Sequence, residues 1–123
     1  MVDGSSSQGE MLDDQLVYRL LKVRFAFCKR AMDAKLAPIE MALIDVVHLG
    51  ELEGRPYDAS SISGATGLSR STVSRRLRQL EKRGLVEQRR AGRNRFYFCT
   101  SKACELFMPL LRPVARLCRS VSA

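Results

Sequence analysis

Arginines and small hydroxyls crowd the stretch LSRSTVSRRLRQLEKRGLVEQRRAGRNR, residues 68–95. Between Ser69 and Arg95 stand ten basic residues: Arg70, Arg75, Arg76, Arg78, Lys82, Arg83, Arg89, Arg90, Arg93 and Arg95. Only Glu81 and Glu87 oppose them. The run therefore carries the whole chain's formal charge of +8, and the other eleven basic and eleven acidic residues cancel. The chemistry open to such residues is recognition by charge and hydrogen bond. Guanidinium forks pair bidentately with phosphate or with guanine edges, and hydroxyls bond to several base edges. A basic surplus confined to one segment predicts a polyanionic partner held at one face.

Other reactive side chains are few. The four cysteines are Cys28, Cys99, Cys104 and Cys118, and the single histidine is His48. Cys28 lies near Arg24, Lys29 and Arg30, and neighbouring cations favour the reactive thiolate, so it is the candidate redox-sensing thiol. A cysteine on an apolar stripe is otherwise a small packing residue. Cys99 and Cys104 could join His48 around a metal, but no CxxC pair is present, and the spacing predicts neither a metal site nor a cofactor. A Ser–His–acid arrangement would need His48, which sits among apolar residues. No glycine-rich phosphate loop or paired metal motif occurs, so the chain is not expected to be an enzyme. Four reduced thiols, no apolar run of bilayer length and no signal-peptide pattern fit a cytoplasmic protein.

The elements that must position the basic run follow from periodicity and turn residues. At 123 residues, with 46% hydrophobic and 28% charged residues, one domain over residues 11–123 is expected, preceded by a flexible tail over 1–10. Residues 11–36 contain no Gly or Pro. Leu12, Leu16, Leu20, Val23, Phe27 and Ala31 recur at helical spacing there, widened by Val17, Leu21 and Cys28. A stripe so broad predicts a long helix that also meets a second subunit. Pro38 opens a second helix with Ile39, Leu43, Val46 and Val47 inward, and Gly50 is expected to end it. A short third helix runs from Asp58 or Ser60 to Thr66 and stops at Gly67.

Ser69 then caps a fourth helix, able to accept the amide of Ser71 or Thr72. Val73, Leu77 and Leu80 form its inner face, with Ser71, Arg75, Arg78 and Lys82 opposite. Residues 85–89 and 95–99 read as a hairpin around Ala91-Gly92-Arg93-Asn94. Phe96 and Phe98 are expected to face the core, and Tyr97 the surface. Thr100 or Ser101 caps a last helical segment over 100–123. Pro109 and Pro113 are expected to kink it or divide it in two. Phe25, Phe27, Met32 and Met41 could line an effector cleft, although Met and Phe at helical spacing otherwise form core.

Helix, glycine turn, capped helix and hairpin, with residues 58–99 as the binding core, make a mainly α fold with a small β-hairpin. This is a winged helix-turn-helix with long N-terminal and C-terminal dimerisation helices. Outward residues early in the fourth helix can reach base edges in the major groove. Later ones such as Lys82 lie nearer the backbone, and hairpin arginines suit phosphates or a narrow minor groove.

The residues ISGATGLSRSTVSRRLRQLEKRGLVEQRR from Ile62, the hairpin and the TSKACEL stretch from Thr100 resemble the MarR family of bacterial winged-helix regulators. With the order of helices, the resemblance covers the chain from about Met11. It implies a homodimeric transcriptional regulator, a repressor, binding double-stranded DNA at a pseudo-palindromic operator. It implies base readout by Arg70, Ser71, Thr72, Ser74 and Arg75. Backbone or wing contacts would fall to Ser69, Arg76, Arg78, Lys82, Arg89, Arg90, Arg93 and Arg95. It also implies a small-molecule effector, an aromatic acid, lipophile or oxidant, held between the dimer helices and the binding core. The wing departs from the family's longer Asp-x-Arg loop, having only AGRNR. Two other readings fit the residues: a winged-helix regulator of an ArsR-like or phage type, and a winged-helix module that docks proteins.

Overall fold

The computed structural model describes residues 7–122, and side chains for residues 13–116, 118 and 119. Five helices and one hairpin follow in the order α1 (Ser7–Asp33), α2 (Pro38–Leu52), α3 (Ala59–Thr66), α4 (Arg70–Lys82), β1 (Val86–Ala91), β2 (Asn94–Cys99) and α5 (Ser101–Ser122). The two strands pair antiparallel, with Val86 opposite Cys99 and Ala91 opposite Asn94.

Helix α1 begins at Ser7, so it takes up residues 7–10 of the expected tail; residues 1–6 lie outside the described residues, as does the side chain of Leu12. It ends at Asp33, three residues short of the expected boundary. Lys35 adopts a left-handed φ of 58°, and the Leu36 amide bonds back to the Ala31 carbonyl at 2.8 Å. This closing turn needs no glycine and folds Leu36 into the core. Along α1, Ala31 is buried and Leu16, Val23 and Phe27 are half-buried, while Val17, Leu20, Leu21 and Phe25 stay exposed. The broad stripe is covered along one edge only. Phe27 stacks on Phe107 of α5 with ring centroids 4.5 Å apart, which fastens the first helix to the last.

Gly50 does not end α2. It lies inside the helix, buried, and a Cβ there would come within 3.0 Å of the Arg55 carbonyl oxygen. The loop folds back over this position, so the glycine permits close approach and the helix runs two residues further, to Leu52. At its start, Glu40 accepts the Ala37 amide at 2.8 Å beneath Pro38.

The core gathers Leu43 and Val47 of α2, Ile62 of α3, Val73, Leu77 and Leu80 of α4, Val86 of β1 and Phe107 of α5. Each fully buried aliphatic chain contributes about 1.5–3 kcal/mol, so the inner face alone seats α4 firmly and frees its outer face for function.

The division of the last helix in two and the facing of Tyr97 come out differently from expectation, for identifiable reasons. Helix α5 is one continuous helix through Pro109 and Pro113. Both prolines are exposed, so the carbonyls they leave unbonded are open to hydration, and buried Ala103 and Phe107 hold the helix to the core. Tyr97, expected at the surface, is the buried member of β2, and Phe96 and Phe98 are half-exposed. The register explains it. Tyr97 opposes Gln88, whose amide bonds Glu81 of α4, so this face of the hairpin is the one turned to the helix.

Candidate nucleic-acid interface

Three caps set α3 and the turn from it into α4. Asp58 accepts the Ser61 amide at 2.8 Å and opens α3. This hydrogen bond, helped by Arg70 nearby, holds its carboxyl below the usual range. Gly67 closes α3 with a φ of 76° and bonds its amide to the Ser63 carbonyl. Ser69 then accepts the Thr72 amide at 3.2 Å, the second of the two amides expected. The Ser69 hydroxyl also meets those of Ser71, at 3.2 Å, and Thr72, at 3.0 Å. A cluster of three hydroxyls therefore sits at the N-terminus of α4. Helix geometry leaves the amides of Arg70 and Ser71 without intrahelical acceptors at that end. Aligned peptide dipoles make it favourable to an anion.

From this start α4 presents Ser71, Arg75, Arg78 and Lys82 on its exposed face. Ser74 and Arg76 are half-buried flankers, and the Arg76 Nε is buried with no hydrogen-bond partner among the described residues. The wing folds back beside the helix. Its tip is the two-residue turn Gly92-Arg93, in which Gly92 takes a φ of 64° and Arg93 does not. That pattern fits a type II′ hairpin turn and makes the wing short and tight.

Helix and wing enclose a polar groove of about 260 Å³, lined by Asp58, Ser60, Arg70, Ser74, Arg93 and Arg95, with Tyr97 at its base. Burial pushes the Tyr97 hydroxyl pKa up, and the Glu81 charge adds to this. The structure thus brings Arg70 and Ser74 together with Arg93 and Arg95. Arg90 opposes Arg95 in the ladder and shares its face. Arg89 is set apart. It stands on the other face, paired with Glu87 at 2.7 Å and lying 4.2 Å over the Phe98 ring. The run's two acids both have structural partners: Glu87 holds Arg89, and Glu81 ties β1 to α4 through Gln88.

Arg83, counted with the basic run, faces inward. Its guanidinium donates to the carbonyls of Ala34 and Lys35 beyond the end of α1 and approaches Glu40 at 4.0 Å. Sequence inspection also missed Asp58 as a groove residue. The capping signal of Asp58 is legible, but only the folded wing brings Arg93 and Arg95 opposite it.

A second feature lies away from the basic face. A cavity of about 590 Å³ opens between α1, α2 and α5, lined by Leu20, Val23, Phe27, Leu49, Leu52 and Val114, with Arg24, Asp45 and His48 at its polar edge. Of the four residues weighed for a cleft, only Phe27 lines it. Met41 packs against the core, and Phe25 and Met32 are exposed. Asp45 has its pKa raised by burial, partly offset by His48. Cys28 is exposed on α1. Cys99 is half-buried, and desolvation, with Glu51, Cys104 and Asp45 nearby, pushes its thiol up to about 12.

Among the described residues, no helix is long and apolar enough to cross a membrane. The model of the bacterial regulatory protein, arsR family, matches residues 49–88, from the end of α2 into β1. No curated protein matches the sequence. Solved structures are similar over nearly the whole chain. A MepR variant of S. aureus bound to an oligodeoxyribonucleotide is 12% identical with a TM-score of 0.63, over 98% of this chain and 83% of that one. The transcriptional regulator Tm0710 of Thermotoga maritima is 20% identical with a TM-score of 0.65, over 92% and 79%. The PcaV transcriptional regulator of Streptomyces coelicolor, in complex with its natural ligand, is 19% identical with a TM-score of 0.55, over 98% and 82%. Five helices and one hairpin, matched over 92–98% of this chain, give it the winged helix-turn-helix fold that it shares with these proteins.

Proposed function

We propose that the chain is a homodimeric transcriptional regulator of the MarR type, a repressor that reads a pseudo-palindromic site on double-stranded DNA. The observation that carries this reading is the convergence of Arg70 and Ser74 from α4 with Arg93 and Arg95 from the wing on one polar groove. In this reading α4 enters the major groove. Arg70, Ser71, Thr72, Ser74 and Arg75 reach base edges from its first turns. Ser69, Arg76, Arg78 and Lys82 hold phosphates along its length, and Arg90, Arg93 and Arg95 follow the backbone or the adjacent minor groove. Arg89 contributes least, because Glu87 and Phe98 already occupy it. The role is binding, not catalysis, and the site of action is the bacterial cytoplasm.

Dimerisation is supported by apolar surface that one chain leaves uncovered: Val17, Leu20, Leu21 and Phe25 on α1, with Met108 and Leu111 on α5. A second copy seated on these helices would space two α4 helices for half-sites about one helical turn apart. The cavity between α1, α2 and α5 has the size and apolar lining of a small-molecule site, and suits a compact aromatic or lipophilic effector. An ArsR-type reading draws on the match to residues 49–88. The MarR-type reading is favoured because the similarity to solved structures extends through α1 and α5 as well.

Duplex binding over a salt series tests this directly. Affinity should fall steeply and linearly on a log–log plot as phosphate counterions are released. A flat salt response, or binding only to protein partners, would overturn the reading in favour of a docking module.

A further inference from the structure

Three side chains of unlike chemistry meet where the end of α2 touches the end of β2. His48 and Glu51 lie one helical turn apart on α2, and Cys99 is the last residue of β2. One ligand atom from each, an imidazole nitrogen, a carboxylate oxygen and the thiol sulfur, lies within 4.8 Å of the other two. His48 Nδ1 is already 3.2 Å from Glu51 Oε2. Glu51 Oε1 accepts the Cys99 amide at 2.8 Å, which fixes the carboxylate and leaves its second oxygen turned toward His48. The Cys99 thiol donates to the Ile44 carbonyl at 3.5 Å, a weak sulfur hydrogen bond that is given up when the thiol loses its proton. A cavity of about 30 Å³ adjoins the cluster, with His48, Cys99, Asp45 and Cys104 among its lining and apolar side chains such as Phe107 and Leu111 making up the rest.

We infer that His48, Glu51 and Cys99 form a binding site for one zinc-class divalent metal ion, with water from the adjoining cavity in the fourth position. Nitrogen, sulfur and a single carboxylate oxygen are the donor types that select zinc over calcium or magnesium. Ligand atoms around a tetrahedral zinc stand about 3.5 Å apart, so side-chain rotations close this cluster without moving the backbone. The Cys99 amide acts as the outer partner that orients the ligating carboxylate. Asp45 at the rim adds negative charge that favours a cation. The cavity volume suffices for the completing water. On binding, the Cys99 thiol gives its proton to solvent and the thiolate takes the metal. The ion would tie the return strand of the wing to α2. Sequence spacing could not show the site, because Cys99 lies 48 residues from Glu51 and the pairing depends on β2 folding against α2.

The test uses the full chain, reduced and stripped with chelator, titrated with cobalt(II) and then zinc(II). The site predicts a thiolate-to-cobalt charge-transfer band in the near ultraviolet, saturating at one ion per chain and bleached by zinc. Cys99→Ser should abolish the band. His48→Gln should weaken binding about 10–100-fold or more. Cys28→Ser should leave both unchanged. His48 is the only histidine, so zinc should also shift a single imidazole signal in the NMR spectrum. No band in the folded wild-type chain, or a band that survives in Cys99→Ser, overturns the assignment. If Cys99→Ser does not fold by circular dichroism, undiminished metal affinity in His48→Gln overturns it equally.

Discussion

Arg83, one residue past α4, donates its Nη1 to the Lys35 carbonyl at 3.0 Å, across 48 positions of sequence. A residue from the basic run thus anchors α4 to the corner between α1 and α2, with Glu40 beside it. Its charge is directed at the end of α1, where a cation complements exposed carbonyls. Arg83→Met should lower unfolding free energy by about 1–2 kcal/mol in urea, since a partly exposed charged hydrogen bond is discounted by solvent. The salt slope of DNA binding should stay at the wild-type value. A reduced slope would place Arg83 on the phosphates instead.

The two faces of the wing give a sharper contrast. Arg93 and Arg95 line the groove with Arg70, whereas Arg89 pairs with Glu87 on the opposite face. Arg93→Ala and Arg95→Ala should each reduce the log–log salt slope by about one, with affinity falling on all sequences alike. Arg89→Ala should change it little. Fluorescence anisotropy with one duplex across a salt series separates the three, and an Arg89→Ala loss equal to the others would refute the assignment of faces.

Gly67 carries a φ of 76° between α3 and α4, and nothing stands within 4 Å of where its Cβ would be. The cost of Gly67→Ala is therefore backbone strain alone, about 1–2 kcal/mol. Thermal unfolding should show the lowered Tm. An unchanged Tm would mean the turn tolerates a side chain in this conformation.

Asp58 caps α3, and its pKa is depressed chiefly by the Ser61 amide. Asp58→Ala should cost about 1 kcal/mol at neutral pH. A carboxyl whose folded pKa is lowered stabilises the fold above its unfolded pKa, and this contribution is lost as pH falls through the folded value. The gap between wild type and variant should therefore narrow below about pH 4, near the unfolded carboxyl pKa. A gap constant down to acid pH would show that the cap does not depend on charge.

The exposed edge of α1 makes the dimer testable on its own. Leu21 is 49% exposed in one chain, where a monomer gains nothing from it. Leu21→Glu should leave the fold intact by circular dichroism and shift the mass in light scattering from dimer to monomer. A wild-type chain that is monomeric at micromolar concentration would remove the dimer from the account.

Local rules carried most of what could be read before folding. Ser69, Gly67 and the Val73–Leu77–Leu80 spacing marked the helix-turn-helix because caps and periodicity act within a few residues. What escaped depended on distant neighbours. Pro109 and Pro113 look like breaks until their exposure shows that water can take the freed carbonyls. Gly50 resembles a stop until the Arg55 carbonyl is found against it. Tyr97 faces inward because Gln88 and Glu81 orient the hairpin, a relation spanning α4 and both strands. The same limit applies to the interface. The arginines were visible as charge, but only the folded wing separates Arg93 and Arg95 from Arg89, and only the α1 corner withdraws Arg83.

The central claim is that α4 and the wing read a particular duplex. Selection of the purified chain against a pool of random duplexes, at physiological salt, tests it most directly. The account predicts an enriched, two-fold symmetric site with half-sites about 10 base pairs apart, whose enrichment is lost in Arg75→Ala. A pool that emerges with no sequence preference would contradict it.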